Sequence, residues 1–337
     1  RHTDIVAWPA EILLACGKAA LAQAMFELAH RAEIVRVLET LMSAGIKPLL
    51  LKGTALAYSH YPSAALRPRA DTDLLIPPDT RKETDLTLRQ LGYAKGAGVE
   101  GKFISYQATW SRSDNLGATH HLDIHWRINN SQILAKTLSY DELAARGAPL
   151  SALGRNACAL APVHALLFAC IHRAGHANAP YHVDGIAHLG GDRLIWLYDI
   201  HLLVVRMSAA DLDEFAALAA SKQIKAICAE ALQRTRECFA TPIPAQVIDA
   251  LNRPGPIEPS ARYLSGGHAR QMLGDFLALE RWSDRGGWAK ELAFPSADYM
   301  RSKYSDAAHT WLPVLYARRA LTGVARLIFP RDAGHGH

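Results

Sequence analysis

Residues 49–77 read LLLKGTALAYSHYPSAALRPRADTDLLIP. An apolar run ends at Lys52-Gly53-Thr54. Two arginines, Arg67 and Arg69, then precede Asp71-Thr72-Asp73 and a second apolar run. Both runs have the length of short buried strands, and the two prolines after Ile76 stop the second. Gly53 marks the turn at which the first strand gives way to a helix over TALAYSHY. Alternate residues of a strand face the same way, so Asp71 and Asp73 share a face, about 7 Å apart along the backbone. Two carboxylates that close at the head of a strand repel each other unless a cation lies between them.

A hard divalent cation such as Mg²⁺ takes oxygen ligands and completes its shell with water and substrate phosphates. A second ion needs a third acid. In HLDIHWRI, residues 121–128, the side chains alternate: Leu122, Ile124 and Trp126 fall on one face, and His121, Asp123 and His125 on the other. Asp123 is therefore the expected third ligand beside Asp71 and Asp73. His125 is open to three readings: metal neighbour, substrate contact or exposed strand face. Lys52, Gly53 and Thr54 suit a phosphate, because the backbone N–H groups at a helix start favour an anion and glycine permits close approach. Lys52 reads equally well as a strand-end lysine paired to a carboxylate. Arg69, and with less support Arg67, is expected either on a triphosphate or paired to the acids.

The 337 residues fall into three stretches. Residues 1–45 read as N-terminal helices, with apolar positions at helical spacing in RAEIVRVLETLMSAGIKP and Gly45 placed to end the last one. Residues 46–150 alternate strand and helix signals: the two strands above, a helix over RKETDLTLRQLGY, and strands over KFISYQATW and ATHHLDIHWRI. Residues 151–337 read as helical, and the strand signals fade after about residue 160. The fold class is α/β of the segregated, α+β kind, because the strands cluster in one region.

A net charge of +5 suits an anionic ligand, and without a basic stripe it disfavours nucleic acid. The five cysteines are odd in number and lack a C-x-x-C pair, which fits reduced core residues in a cytoplasmic protein. The N-terminal segment lacks a signal-peptide pattern. No run is expected to span a membrane; the nearest, WLPVLYARRALTGVARLIF near the C-terminus, is broken by arginines. His172 and His176 lie one helical turn apart, a zinc-ligand spacing without a third ligand, so they read as structural or substrate-facing. Asp199 stands in the apolar helix LIWLYDIHLL and needs a partner, with His172, His176 or Arg193 as the candidates. His125, His172, His176 and Asp199 are the expected acceptor side.

The Gly-Thr turn after a strand, the Asp-x-Asp and the later lone Asp resemble the DNA polymerase beta nucleotidyltransferase superfamily. LLLKGTALA, ADTDLLIP, HLDIHWRI, HALLFACIHRAGH and FPSADYMRSKY are similar to a poorly characterised bacterial nucleotidyltransferase family with a Lys-Gly motif before the Asp-x-Asp. The resemblance implies a small mixed sheet with helices on one side. It also implies Mg²⁺-dependent (or Mn²⁺-dependent) transfer of a nucleoside monophosphate from an NTP, with release of pyrophosphate. Gly53 and Thr54 then serve the phosphates, and Asp71, Asp73 and Asp123 the metal. The expected acceptor is a hydroxyl or amine of a small molecule or peptide. The rival readings are a catalytically silent regulatory module and γ-phosphoryl transfer from the same site.

Overall fold

The structure, a computed structural model, describes residues 8–99, 101–115, 117–177, 181–183, 186–188, 192–304 and 310–328. The closing GHGH at 334–337 lies outside them. The chain enters on helix α1, Ala10–Ser43, and leaves it through Gly45, whose φ of +80° only glycine adopts easily. There Gly45 N–H bonds the Met42 carbonyl at 3.0 Å and Ile46 N–H the Leu41 carbonyl at 2.9 Å, which closes the helix end. Residues 1–45 thus hold one described helix rather than several, since no proline or paired glycine interrupts 10–43.

Strand β1 (Leu49–Leu50) leads into α2 (Lys52–Ser59). Strand β2 (Thr72–Leu75), helix α3 (Arg81–Gln90) and strands β3 (Ala94–Lys95), β4 (Gln107–Ser113) and β5 (Thr119–His125) follow. Helix α4 (Tyr140–Ala145) and strands β6 (Ala148–Pro149) and β7 (Cys158–Ala159) complete a seven-stranded mixed sheet in the order β3-β4-β5-β2-β1-β7-β6. The sheet therefore extends past residue 150, where the sequence places its end. Two-residue strands such as β6 and β7 are too short to show an alternation.

The rest is helical except for a hairpin of β8 (Tyr181–Val183) and β9 (Ile186–His188), which sequence periodicity did not mark. Helices α5 (Pro162–Ala177), α6 (Leu194–Val204), α7 (Ala209–Ser221), α8 (Lys225–Phe239) and α9 (Ala245–Asn252) pack together. Helices α10 (Pro259–Leu264), α11 (His268–Ala278), α12 (Trp282–Ala293), α13 (Ala297–Lys303) and α14 (Leu312–Ile328) follow.

Two apolar cores set the layers. One joins Ile34, Val37, Leu38 and Leu41 of α1 and Leu88 of α3 to Leu50, Leu74, Leu122 and Ile124 of the sheet. The other joins Leu49 and Leu75 to α5–α9. Neighbouring leucines of β1 and β2 go to opposite cores, as strand alternation requires. On β2, Thr72 and Leu74 face α1, whereas Asp73 and Leu75 face the helical part.

The outer half of α1 stands clear of both cores: Leu14, Leu21, Met25 and Leu28 are each more than 60% exposed. It is also the one helix among the described residues long and apolar enough to cross a membrane by length and composition alone. The sequence expectation had placed the nearest such run at the C-terminus instead. Between Ala10 and Phe26 the helix carries only two charges, Glu11 and Lys18.

Candidate active site

Parallel pairing of β2 with β5 places Asp73 directly beside Asp123 in register, with Leu75 beside His125. Leu122 and Ile124 go into the core and Asp123 and His125 to the other face, following the alternation of the sequence. Donor atoms of Asp73, Asp123 and His125 all lie within 4.8 Å of one another. Asp71 sits one residue before β2, half-buried, and lines the same cavity. Burial, then the neighbouring Asp73 and Asp123 carboxylates, push its pKa up to about 6. Buried Asp73 is held the other way. Burial opposes its charge, but Lys52 and His125 outweigh that and keep the carboxyl well below its usual range. Lys52 Nζ lies 2.6 Å from Asp73 Oδ1, and His125 Nε2 lies 2.9 Å from the same oxygen.

This donor set fits a divalent cation. It brings together two in-register carboxylates, a third crowded by them, and an imidazole, in a place where a cation relieves the mutual repulsion. Asp73 and Asp123 would hold the ion, with Asp71 and His125 beside them.

The Lys52-Gly53-Thr54 turn opens α2 as expected, with Lys52 itself at φ +48°. The Arg67 guanidinium packs against the turn, 3.4 Å from where a Cβ on Gly53 would stand. Thr54 differs from expectation. It is 1% exposed, and its hydroxyl turns away from the cavity to meet Thr72 Oγ1 at 3.2 Å and to accept from Arg69 Nε at 3.0 Å. Arg69 in turn donates to both oxygens of Glu27, at 2.6 and 2.9 Å. Its guanidinium braces α1 against the site, which leaves little of it for a triphosphate.

The brace continues under the sheet. Thr72, the middle residue of the Asp-x-Asp, bonds His30 Nε2 at 3.0 Å. His30 Nδ1 meets His120 Nδ1 at 3.2 Å, and His120 Nε2 meets Asp114 at 3.2 Å. Burial first, then Arg69 and His120, lower His30 to about 3, so the ring is neutral at physiological pH. Sequence reasoning missed Glu27, His30 and His120. The available signal was a polar stripe at helical spacing, Glu27, His30 and Glu33, along one face of α1.

Asp199 also finds other partners than those expected. Arg67 clamps it through Nε at 2.9 Å and Nη2 at 2.7 Å, and Tyr61 donates to it at 2.8 Å. His172, His176 and Arg193 are not its partners; they line the cavity with Trp196. The cavity, about 1080 Å³, runs from Lys52, Asp71, Asp73 and Asp123 past these rings to Asn129, Ser131, Tyr263 and Asp275. Small-molecule sites run to roughly 300–1,000 Å³, so it has room for more than one substrate. The last two residues come from α10 and α11. Asp275 accepts from Gln132 N–H at 2.7 Å, Ser131 Oγ at 3.2 Å and Tyr263 at 3.0 Å.

A mixed sheet that sets paired carboxylates over a cavity, next to a strand–Gly–helix turn, suits an enzyme that handles phosphates with a divalent cation. Over residues 2–240 the chain matches the uncharacterised nucleotidyltransferase family, and it belongs to that family. It is a transferase of that kind. No curated protein matches the chain.

Proposed function

We propose that the protein moves a nucleoside monophosphate from an NTP to a hydroxyl or amine of a small-molecule or peptide acceptor and releases pyrophosphate. The observation that carries the reading is the in-register Asp73–Asp123 pair, with Asp71 crowded beside it at one end of a large cavity. Mg²⁺ is the proposed ion, with Mn²⁺ as a substitute; when bound it neutralises phosphate charge and lowers the pKa of an attacking hydroxyl.

The residues divide the remaining work. Asp73 and Asp123 would hold the ion, with the half-buried Asp71 beside them adding a third negative group at the same end of the cavity. The Lys52–Gly53 turn offers the phosphates a cation and a close backbone approach at the edge of the acidic group. The rest of the cavity receives the acceptor. The cytoplasm is the proposed compartment, supported by five unpaired cysteines.

The test is label transfer with α- and γ-³²P-ATP, with pyrophosphate measured in parallel. Release of pyrophosphate together with the α-label on an acceptor from a cell extract is the expected result, and Asp73→Asn and Asp123→Asn should each remove it while leaving the circular dichroism unchanged. Movement of the γ-label instead would make the enzyme a kinase. Full turnover in either variant would sink the metal assignment.

A further inference from the structure

Beside the phosphate turn the cavity has a wall of rings that the metal and phosphate groups do not use. His172 and His176 project from one face of α5, with ring centroids 4.6 Å apart. Trp196, from the first turns of α6, stands edge-on to His172 at 5.4 Å and tilted to His176 at 5.8 Å. Phe168 extends the row behind His172, at 6.4 Å, and the Arg193 guanidinium lies 5.4 Å from the Trp196 ring centre. All five residues line the cavity.

Three features narrow what this wall can bind. It is uncharged apart from Arg193 at its edge. Burial, with Lys52 as the next cause, lowers the pKa of His172, and the more open His176 shifts the same way, so both are neutral rings at physiological pH. The wall and the Lys52–Gly53 turn line the same cavity. Finally, Asp199, the acid of α6, is already clamped by Arg67 and Tyr61, so the carboxylate that acts on both rings is Asp73, which belongs to the metal group. Flat neutral rings with one guanidinium at the rim suit a planar heteroaromatic ligand with acceptor atoms on its edge.

We propose that His172, His176 and Trp196 form the nucleobase subsite, with the base against the Trp196–His176 face and the triphosphate leading to Lys52–Gly53. These histidines then serve the nucleotide instead of the acceptor. The acceptor is left the far end of the cavity, at Asn129, Ser131, Tyr263 and Asp275. The inference rests on the nucleotide reading above, and the test separates the two.

Calorimetry on the full chain with Mg²⁺ compares ATP with inorganic tripolyphosphate, which has the phosphates and no base. Stacking on one aromatic ring is worth about tenfold in affinity, so Trp196→Leu should weaken ATP by about that factor and leave tripolyphosphate unchanged. Trp196→Phe, which keeps a ring, should bind ATP nearly as the wild type does. His176→Leu guards against a local packing defect at Trp196 and should show the same split. Unchanged ATP binding in both leucine variants overturns the subsite and hands the wall to the acceptor. Equal loss of both ligands in both variants overturns it too, since the wall would then act on the phosphates. A wild-type chain that binds tripolyphosphate and ATP equally overturns the subsite alone. One that binds neither overturns the nucleotide reading and the subsite with it.

Discussion

At the scale of single residues, the site is an exercise in crowding negative charge. Asp73 and Asp123 are forced together by strand register, and Asp71 absorbs the consequence. Lys52 answers part of the charge, by direct contact with Asp73 and at longer range on Asp71. Asp71 has a pKa of about 6 in the fold, against 3.8 when unperturbed. Between those values the native chain binds more protons than the unfolded one, so the metal-free protein loses stability as pH rises from about 4 to 6. Asp71→Asn removes the charge and the slope with it. In EDTA at pH 7 the variant should be more stable than the wild type by about 1–2 kcal/mol, a shift discounted for partial exposure. Urea midpoints at pH 4.5 and 7 check this. In Mg²⁺ the sign should reverse, because the wild type gains a bound ion and the variant gains less. A variant less stable than the wild type in EDTA would mean that Asp71 is satisfied without a cation.

At the scale of elements, two polar ties hold the site's parts in place. One runs under β2 from Asp114 through His120 and His30 of α1 to Thr72, Thr54, Arg69 and Glu27. It joins the strand that carries the acids to the helix that opens at the phosphate turn. His30 has a folded pKa of about 3 against 6.5, so between those values the unfolded chain binds the extra proton and stability falls as pH drops through the window. The loss attributable to this one group is about 2–4 kcal/mol by pH 3. His30→Asn, which keeps a polar group toward Thr72, should flatten the acid limb of a stability–pH curve by that order. An unchanged limb would show that the protons enter elsewhere. The second tie is Arg67 on Asp199, which fastens the loop before the acids to α6. Both side chains are under 10% exposed, and removing one leaves a buried charge unpaired. Arg67→Ala should therefore cost about 3–5 kcal/mol. The double variant Arg67→Met, Asp199→Leu should recover most of that, and failure to recover would make the pair more than a structural clamp.

At the scale of the molecule, the features visible in the sequence were those written in local pattern. Asp73, Asp123 and His125 shared a face because strands alternate, Gly45 ended α1 because few other residues suit its φ of +80°, and Gly53 marked where β1 gives way to α2. Long-range partners were hidden. Nothing local tells Arg67 that its partner is Asp199, 132 positions away, or turns the Thr54 hydroxyl under the sheet. The two-residue strands carried no period to read. The same holds for the C-terminal helices, which lie beyond the family match at 2–240 yet close one end of the cavity. Their attachment is chemical as well as apolar. Glu291 of α12 accepts the backbone N–H groups of Lys102, Phe103 and Ile104, at 2.7, 2.8 and 3.2 Å. These residues form the segment that feeds β4, and Ile104 lines the cavity. One carboxylate thus orders a loop of the sheet region from a helix 188 residues on. Glu291→Ala strands three donors, of which the part-buried Phe103 and Ile104 are the costly ones, and should destabilise the chain by about 1–3 kcal/mol. Glu291→Gln keeps an acceptor oxygen and should recover about half of this. Urea titration gives the energies. Cleavage of the 99–106 segment by a broad-specificity protease under native conditions reads the local effect, and it should quicken in Glu291→Ala well before global unfolding begins. If cleavage and stability both match the wild type, α12 merely rests on the sheet region and does not order the segment before β4.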